Sequence, residues 1–517
     1  MIDVFYILDV LSNYLNLNCI LKIESFLYNN YSFENYFVYL NFFNVELFLF
    51  FSIILILIFN VYYSIIRKNP HLVKNSIIFF ILSLFFCIFI TFDQYNNISF
   101  SLCFLFFKNT YIYFWSFLIF VIFILFLIIL INYYEKHFSF ITYEFVLFIM
   151  FSLFSILLSI NCLDLLLIYL ILEFQSFCFY ILTSIKTKSL FSTEAGLKYF
   201  ILSSLSAGIM LFGISLLYGL TGNIDLYSYN LFDFSFDNSY YFGSILILIG
   251  FIFKFGLVPF HMYMPDVYSG ANSFVTLFFL VIQKIFLVIL FINLYSNLLI
   301  YIPFINLLLI IFVLSSILIG SLYALSQFKI KKLIIYSSIV NSGFLLFGFI
   351  SNNIDGVVNS FLFLIIYIFT TFLLFIIYLS VRIIHNNQSL RSFYDLLMLK
   401  KTHILIALIF TIGLFSIAGI PPLAGFFGKL FLFWSILKES FISLSIIAIF
   451  LTVVTSYYYI KLIKIMFFDK IARFVLLHNL EKSESYILSI CTIFLVFFFL
   501  YPQFIVNYIS YILYLYL

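Results

Sequence analysis

The chain has 517 residues, of which 65% are hydrophobic and 9% charged, with mean hydropathy +1.22 and a formal net charge of +4. Soluble domains carry roughly 25% charged residues, so a water-soluble globule is excluded. Apolar runs of about 20 residues recur from end to end, which reads as spanning helices rather than the short alternating segments of a β-barrel. The small net charge offers no footprint for nucleic acid.

The 78 Phe and 40 Tyr, like the abundant Ile, Leu and Asn, have AT-rich codons and point to base bias in an AT-rich, organellar genome. Six cysteines (Cys19, Cys87, Cys103, Cys162, Cys178 and Cys491) form no C-x-x-C pair, so neither zinc nor an iron–sulfur cluster is suggested. The opening MIDVFYILDVL has no basic n-region and no Arg-rich amphipathic stretch, so no cleavable targeting peptide is expected. A chain this apolar is hard to import, which fits synthesis inside the organelle.

In chain order, residues 1–45 are mixed polar and apolar and read as a peripheral or interfacial extension. Spans are expected at 46–66, 74–92, 111–133, 140–161, 163–183, 199–219, 242–262, 273–297, 303–325, 332–350, 358–384, 403–437, 440–467 and 486–506. The predicted fold class is thus an all-α polytopic membrane protein with about 14 transmembrane helices. Its expected divisions are the extension 1–45, three helices in 46–133, helices 4–8 in 140–297, helices 9–13 in 303–467, and a loop with a final span in 468–517.

Charge placement supports this count. Connections after odd-numbered spans hold 18 of the 25 Lys and Arg, whereas those after even-numbered spans hold only Lys108 and Lys438. The connection at 220–241 carries Asp225, Asp233 and Asp237 and no basic residue. The positive-inside rule then puts the basic connections on one side and both termini on the other.

Four charges fall well inside apolar spans: Glu173 in the fifth, Lys254 in the seventh, Lys284 in the eighth and Lys429 in the twelfth. Lys198 lies about one turn inside the sixth, where snorkelling to the interface is an equal alternative. A lone charge at the bilayer centre costs on the order of 3 kcal/mol on insertion scales, so the four oppose insertion by roughly 10 kcal/mol or more. A partner carboxylate, internal water or loss of the proton must offset that cost. Lys and Glu suit proton transfer because each can be charged or neutral; Arg does not release its proton in practice.

Two lysine-bearing spans are interrupted. Pro259 follows Lys254, and GIPPLAG at 419–425 precedes Lys429. Proline removes a backbone donor, and freed backbone groups are tolerated in lipid only where they line protein or water. Spans 4–8 and 9–13 form two five-helix units, each with a broken lysine helix fourth. Five is odd, so the second unit begins on the opposite side, as in the inverted repeats of many transporters. His261, just past the first break, is a candidate relay or a loop anchor; Asp266 reads as a cap or turn residue before the eighth span. His71, His137, His385, His403 and His478 lie in basic connections or at span edges. No nucleotide-binding loop or Ser/His/Asp arrangement is present.

Four segments carry a resemblance: GLVPFHMYMPDVYSGAN, EAGLKYFILSSLSAGIMLFGISLLYGLTG, ALSQFKIKKLIIYSSIVNSGFLLFG and AGIPPLAGFFGKLFLF. Together they resemble the subunit 2 family of NADH:ubiquinone oxidoreductase, respiratory complex I, one of its antiporter-like subunits, over roughly residues 140–470. The resemblance implies proton translocation. It also implies that Glu173 pairs with Lys254, that Lys284 bridges the halves and that Lys429 serves the exit half, while Lys198 matches a lysine of the family. The family usually has a histidine where YSSIVNSGF has Asn341, which cannot hold and release a proton.

The resemblance further implies an H+-translocating NADH:ubiquinone reductase in which this chain carries no redox centre. NADH, FMN, iron–sulfur clusters and ubiquinone are then expected in partner subunits. The partners are other membrane-arm subunits and bilayer lipids, specific phospholipids among them. The expected location is the mitochondrial inner membrane, multi-pass, with basic loops in the matrix and both termini in the intermembrane space. The alternatives are a subunit of a multisubunit cation/proton antiporter and a non-conducting spacer in the membrane arm.

Overall fold

In hydrocarbon no water satisfies a backbone N–H or C=O, so each apolar segment must close its hydrogen bonds internally. The computed structural model describes residues 44–66, 72–95, 99–101, 106–136, 142–226, 238–299, 304–382, 390–469 and 477–514, and nearly all of them are helical. The expected extension at 1–45 lies almost wholly outside the described residues, as do His71, His137 and His385. From Val45 onward the chain forms one contact unit.

The helices are α1 (Asn44–Ile66), α2 (Leu72–Gln94), α3 (Thr110–Lys136), α4 (Tyr143–Asn161), α5 (Leu165–Ser184), α6 (Leu190–Thr221), α7 (Asn238–Phe255), α8 (Tyr263–Gly270) and α9 (Ser273–Leu299). They continue as α10 (Ile305–Leu325), α11 (Ile330–Phe347), α12 (Ile354–Ser380), α13 (Ile404–Ala418), α14 (Ala424–Lys438), α15 (Ile442–Phe468), α16 (Lys482–Phe497) and α17 (Pro502–Tyr514). Thirteen spans among the described residues are long and apolar enough to cross a membrane, with α7 and α8 forming one of them. The remaining expected span, the twelfth, is built from α13 and α14, each 15 residues. Such a half is about 22 Å long and cannot cross a core of about 30 Å alone. The exception to helix among these elements is a small antiparallel hairpin, β1 (Ser99–Ser101) with β2 (Phe106–Lys108), pairing Ser99 with Lys108.

Both interrupted spans stop at a glycine, not at the proline that announced them. α7 ends at Phe255, and Gly256 has φ +70°; α13 ends at Ala418, and Gly419 has φ +87°. Positive φ is nearly free only for glycine, and Gly419 N–H closes back on Phe415 O at 3.0 Å, an αL helix stop. Pro259, Pro421 and Pro422 follow in the linkers, where a new ladder cannot form at once.

Burial ranks the helices. The most apolar stretch of α9 is wholly buried, that of α11 94% and that of α12 89%, against 33% for α1, α15 and α16. The first three therefore form the interior, and the others present Phe and Leu side chains such as Phe51, Leu55 and Phe450 outward. Small residues let backbones approach closely where α6 meets α7: a Cβ on Gly213 would lie 2.7 Å from Gly243 O.

Two expectations change. The sixth span starts at Leu190, not 199, because its polar first turns are held by side-chain pairs. Asp266 is no cap before the eighth span: it lies in the first turn of α8, and Asn272 stands at the start of α9.

Candidate functional site

The first break gathers three of the four central charges. Glu173, midway along α5, and Lys254, in the last turn of α7, face each other with Oε1–Nζ 3.5 Å and side chains only 18% and 10% exposed. Ser176 donates its hydroxyl to Glu173 O at 2.7 Å and lies 3.4 Å from Oε2. Beside Lys254 is a cavity of about 20 Å³ whose polar lining is Gln175, Ser176, Tyr199, Ser203, Tyr263 and Gln283. That is room for one water at a site with several polar partners.

Lys284 reaches the same helix end from α9. Its Nζ donates to Phe255 O, the last residue of α7, and sits 5.8 Å from the Phe255 ring. Tyr263, at the start of α8, donates to Phe253 O at 2.9 Å. The last carbonyls of a helix have no partner within it and carry the negative end of its dipole. The break therefore supplies acceptors suited to a protonated amine where lipid would supply none. A π-helical turn, Phe279–Gln283, directly precedes Lys284. Such turns re-aim the residues beside them, and here Gln283 borders the Lys254 cavity while Lys284 meets α7.

The second break repeats this chemistry with different residues. Lys429, on α14, donates to Ile417 O at 2.8 Å and Ala418 O at 3.1 Å, the end of α13. It is 6% exposed, and its amine lies 5.2 Å from the Phe344 ring on α11. Asn341, one turn before Phe344, is buried. Lys254 thus precedes its break and pairs with a carboxylate, while Lys429 follows its break and meets backbone.

The other candidates fall elsewhere. Lys198 is 44% exposed in its side chain and pairs with Glu194 at 2.7 Å and Asp266 at 3.3 Å. It does not line the Lys254 cavity. His261 is buried in the turn after the first break, its ring centroid 6.2 Å from that of Tyr323 on α10. It too lies off that cavity.

Sequence reasoning missed two buried sets. Lys108, counted as a connection residue, is on β2 and contacts both carboxylate oxygens of Glu46 at 2.7 and 2.8 Å, with both side chains almost fully buried. Asn161 donates to the same Glu46 at 2.6 Å. One signal was available: Lys108 was one of only two basic residues in the even connections. Tyr268 on α8 donates to Gln283 Oε1 at 3.0 Å, and Lys331 on α11, also counted with the basic connections, reaches the α8–α9 corner. Among the described residues no group of three or more His, Cys, Asp or Glu gathers as a metal site would need.

Residues 162–455 match the family described as NADH:quinone oxidoreductase/Mrp antiporter, TM. The chain is 39% identical over 358 residues to NADH-ubiquinone oxidoreductase chain 2 of Marchantia polymorpha, covering 67% of this chain and 72% of that one. It is 36% identical over 357 residues to NADH-quinone oxidoreductase subunit N of Pelagibacter ubique, covering 67% and 73%. In fold it matches a chain of respiratory complex I from Thermus thermophilus, with TM-score 0.73, 22% identity and 90% and 98% coverage. It also matches a chain of the Mrp complex from Dietzia sp. DQ12-45-1b, with TM-score 0.76, 16% identity and 90% and 96% coverage. With a family match across more than half its length and relatives this similar, the chain belongs to the NADH:quinone oxidoreductase/Mrp antiporter transmembrane family, as an antiporter-like subunit of the complex I type.

Proposed function

We propose that this chain moves protons across the mitochondrial inner membrane as a membrane-arm subunit of NADH:ubiquinone oxidoreductase. The observation that carries the reading is the Glu173–Lys254 pair at a broken helix, beside a water-sized cavity and one helix end away from Lys284. A carboxylate beside an amine favours its protonated form, and drawing the two apart favours release. Electron transfer and quinone chemistry occur in partner subunits, which hold NADH, FMN, iron–sulfur clusters and ubiquinone. The resulting change of field or packing separates Glu173 from Lys254. The released proton passes by water held beside Gln283 to Lys284, then to Lys429 at the second break, and leaves on the side of the acidic 220–241 connection. Lys198 and Asp266 form an ion-pair cluster near the opposite mouth, and His261 serves as a side relay or anchor.

The two five-helix units, 140–297 and 303–467, act as inverted halves in this scheme, each with one break serving as its proton station. Asn341 takes part only by holding water, since an amide does not titrate. A cation/proton antiporter subunit would use similar residues, but the relatives at 36–39% identity carry oxidoreductase names, which favours the first reading. The test is Lys254→Met in the assembled complex. NADH oxidation should continue while protons moved per NADH fall. Unchanged pumping with full assembly removes Lys254 from the mechanism.

A further inference from the structure

Breaks and corners end α7 at Phe255, α8 at Gly270 and α13 at Ala418. An amine from elsewhere in the fold meets each. Lys284 and Lys429 belong to the path already described; the third is Lys331. It sits in the first turn of α11, half-buried, and its Nζ donates to Ala271 O at 2.6 Å and Ser269 O at 3.2 Å. These bonds tie the second five-helix unit to the corner where α8 turns into α9.

That corner sets the geometry of the cavity. Tyr268, one residue before Ser269, is fully buried and donates to Gln283 Oε1 at 3.0 Å. Gln283 lines the Lys254 cavity and adjoins Lys284 in sequence. A charge-assisted bond to two carbonyls is stronger than a neutral one.

We propose that Lys331 is a positioning residue for proton transfer: from α11 its amine clamps the α8–α9 corner, keeps Tyr268 on Gln283, and so holds the Lys254 cavity and the adjoining Lys284 in register. The role rests on the proton path proposed above. It needs donors and a positive charge, not release of a proton. Arginine keeps both features and holds its proton, so the conservative variant separates a clamp from a carrier.

The experiment compares Lys331→Met, Lys331→Arg, Tyr268→Phe and Lys254→Met in the whole complex in sealed membrane vesicles. It reads protons moved per NADH oxidised, with assembly checked by native electrophoresis. A misplacement near 1 Å can slow a positioned step by up to about a hundredfold, so Lys331→Met is expected to lose most of this chain's proton yield. Tyr268→Phe should reproduce that loss, and Lys331→Arg should restore at least half. Full pumping in assembled Lys331→Met or Tyr268→Phe overturns the proposal. So does an assembled Lys331→Arg as impaired as Lys331→Met, because the amine would then carry the proton itself. If Lys331→Met fails to assemble, an assembling and pumping Lys331→Arg supports the clamp, and an Arg variant that also fails overturns it. Full pumping in Lys254→Met overturns the path and the Lys331 role together, whereas a loss there with none in Lys331→Met overturns the role alone.

Discussion

Gly425→Ala tests the second break without touching a charge. A Cβ at Gly425 would lie 1.6 Å from Ser416 O and 2.6 Å from Ser416 C. Carbon–oxygen contacts rest near 3.3 Å, so the start of α14 and the end of α13 must part by roughly 1.7 Å. Lys429 sits one turn after Gly425, and its bonds to Ile417 O and Ala418 O are 2.8 and 3.1 Å. Adding such a displacement takes both past about 3.5 Å, where a hydrogen bond is lost. Overpacking should cost about 1–3 kcal/mol of stability, and transfer through Lys429 should slow by on the order of tenfold to a hundredfold. The assay is NADH-driven acidification in sealed vesicles, normalised to NADH oxidation and to assembled complex. Gly219→Ala is the control, since no atom lies within 4 Å of a Cβ there; it should pump normally and gain up to about 1 kcal/mol of helix propensity. A fully assembled Gly425→Ala complex that pumps like the wild type would refute the claim that this close approach holds the lysine on its carbonyls.

Lys284→Arg and Lys429→Arg keep charge and donors but remove proton release, so the same acidification assay should show impaired pumping in assembled complex; normal pumping would remove those residues from the relay. Glu46→Gln leaves the buried Lys108 amine without its carboxylate and should cost about 3–5 kcal/mol, seen as a lower yield of folded chain and a lower melting temperature in detergent. A Glu46→Leu, Lys108→Met double variant should recover much of that loss, because an apolar pair of similar volume replaces the ions. Equal loss in the single and double variants would show that the ion pair is not what holds α1 to β2.

The spans were legible because hydropathy over about 20 residues is a strong signal, and the intramembrane charges because their cost makes each conspicuous. The prolines announced both breaks, but the stops fall at Gly256 and Gly419, since the left-handed residue ends a helix before the missing donor matters. What stayed hidden depended on partners distant in sequence. Lys108 read as a connection residue because its carboxylate lies 62 positions earlier, and Lys331 as a basic loop residue because its carbonyl partners lie 60 and 62 positions away. The sixth span begins nine residues before the expected 199: Ser192, Thr193, Glu194 and Lys198 lower local hydropathy, whereas Glu194 and Asp266 pairing with Lys198 lets the helix extend. The final helix, Pro502–Tyr514, was not anticipated beyond the fourteenth span, although proline suits the first helical position.

The central claim is that buried amines at two broken helices are joined to an acid by a hydrated path. A map of the assembled complex sharp enough to place internal water tests it most directly. Ordered water should fill the cavity between Lys254 and Gln283 and continue past Lys284 toward Lys429. Dry, close-packed side chains along that line would contradict it.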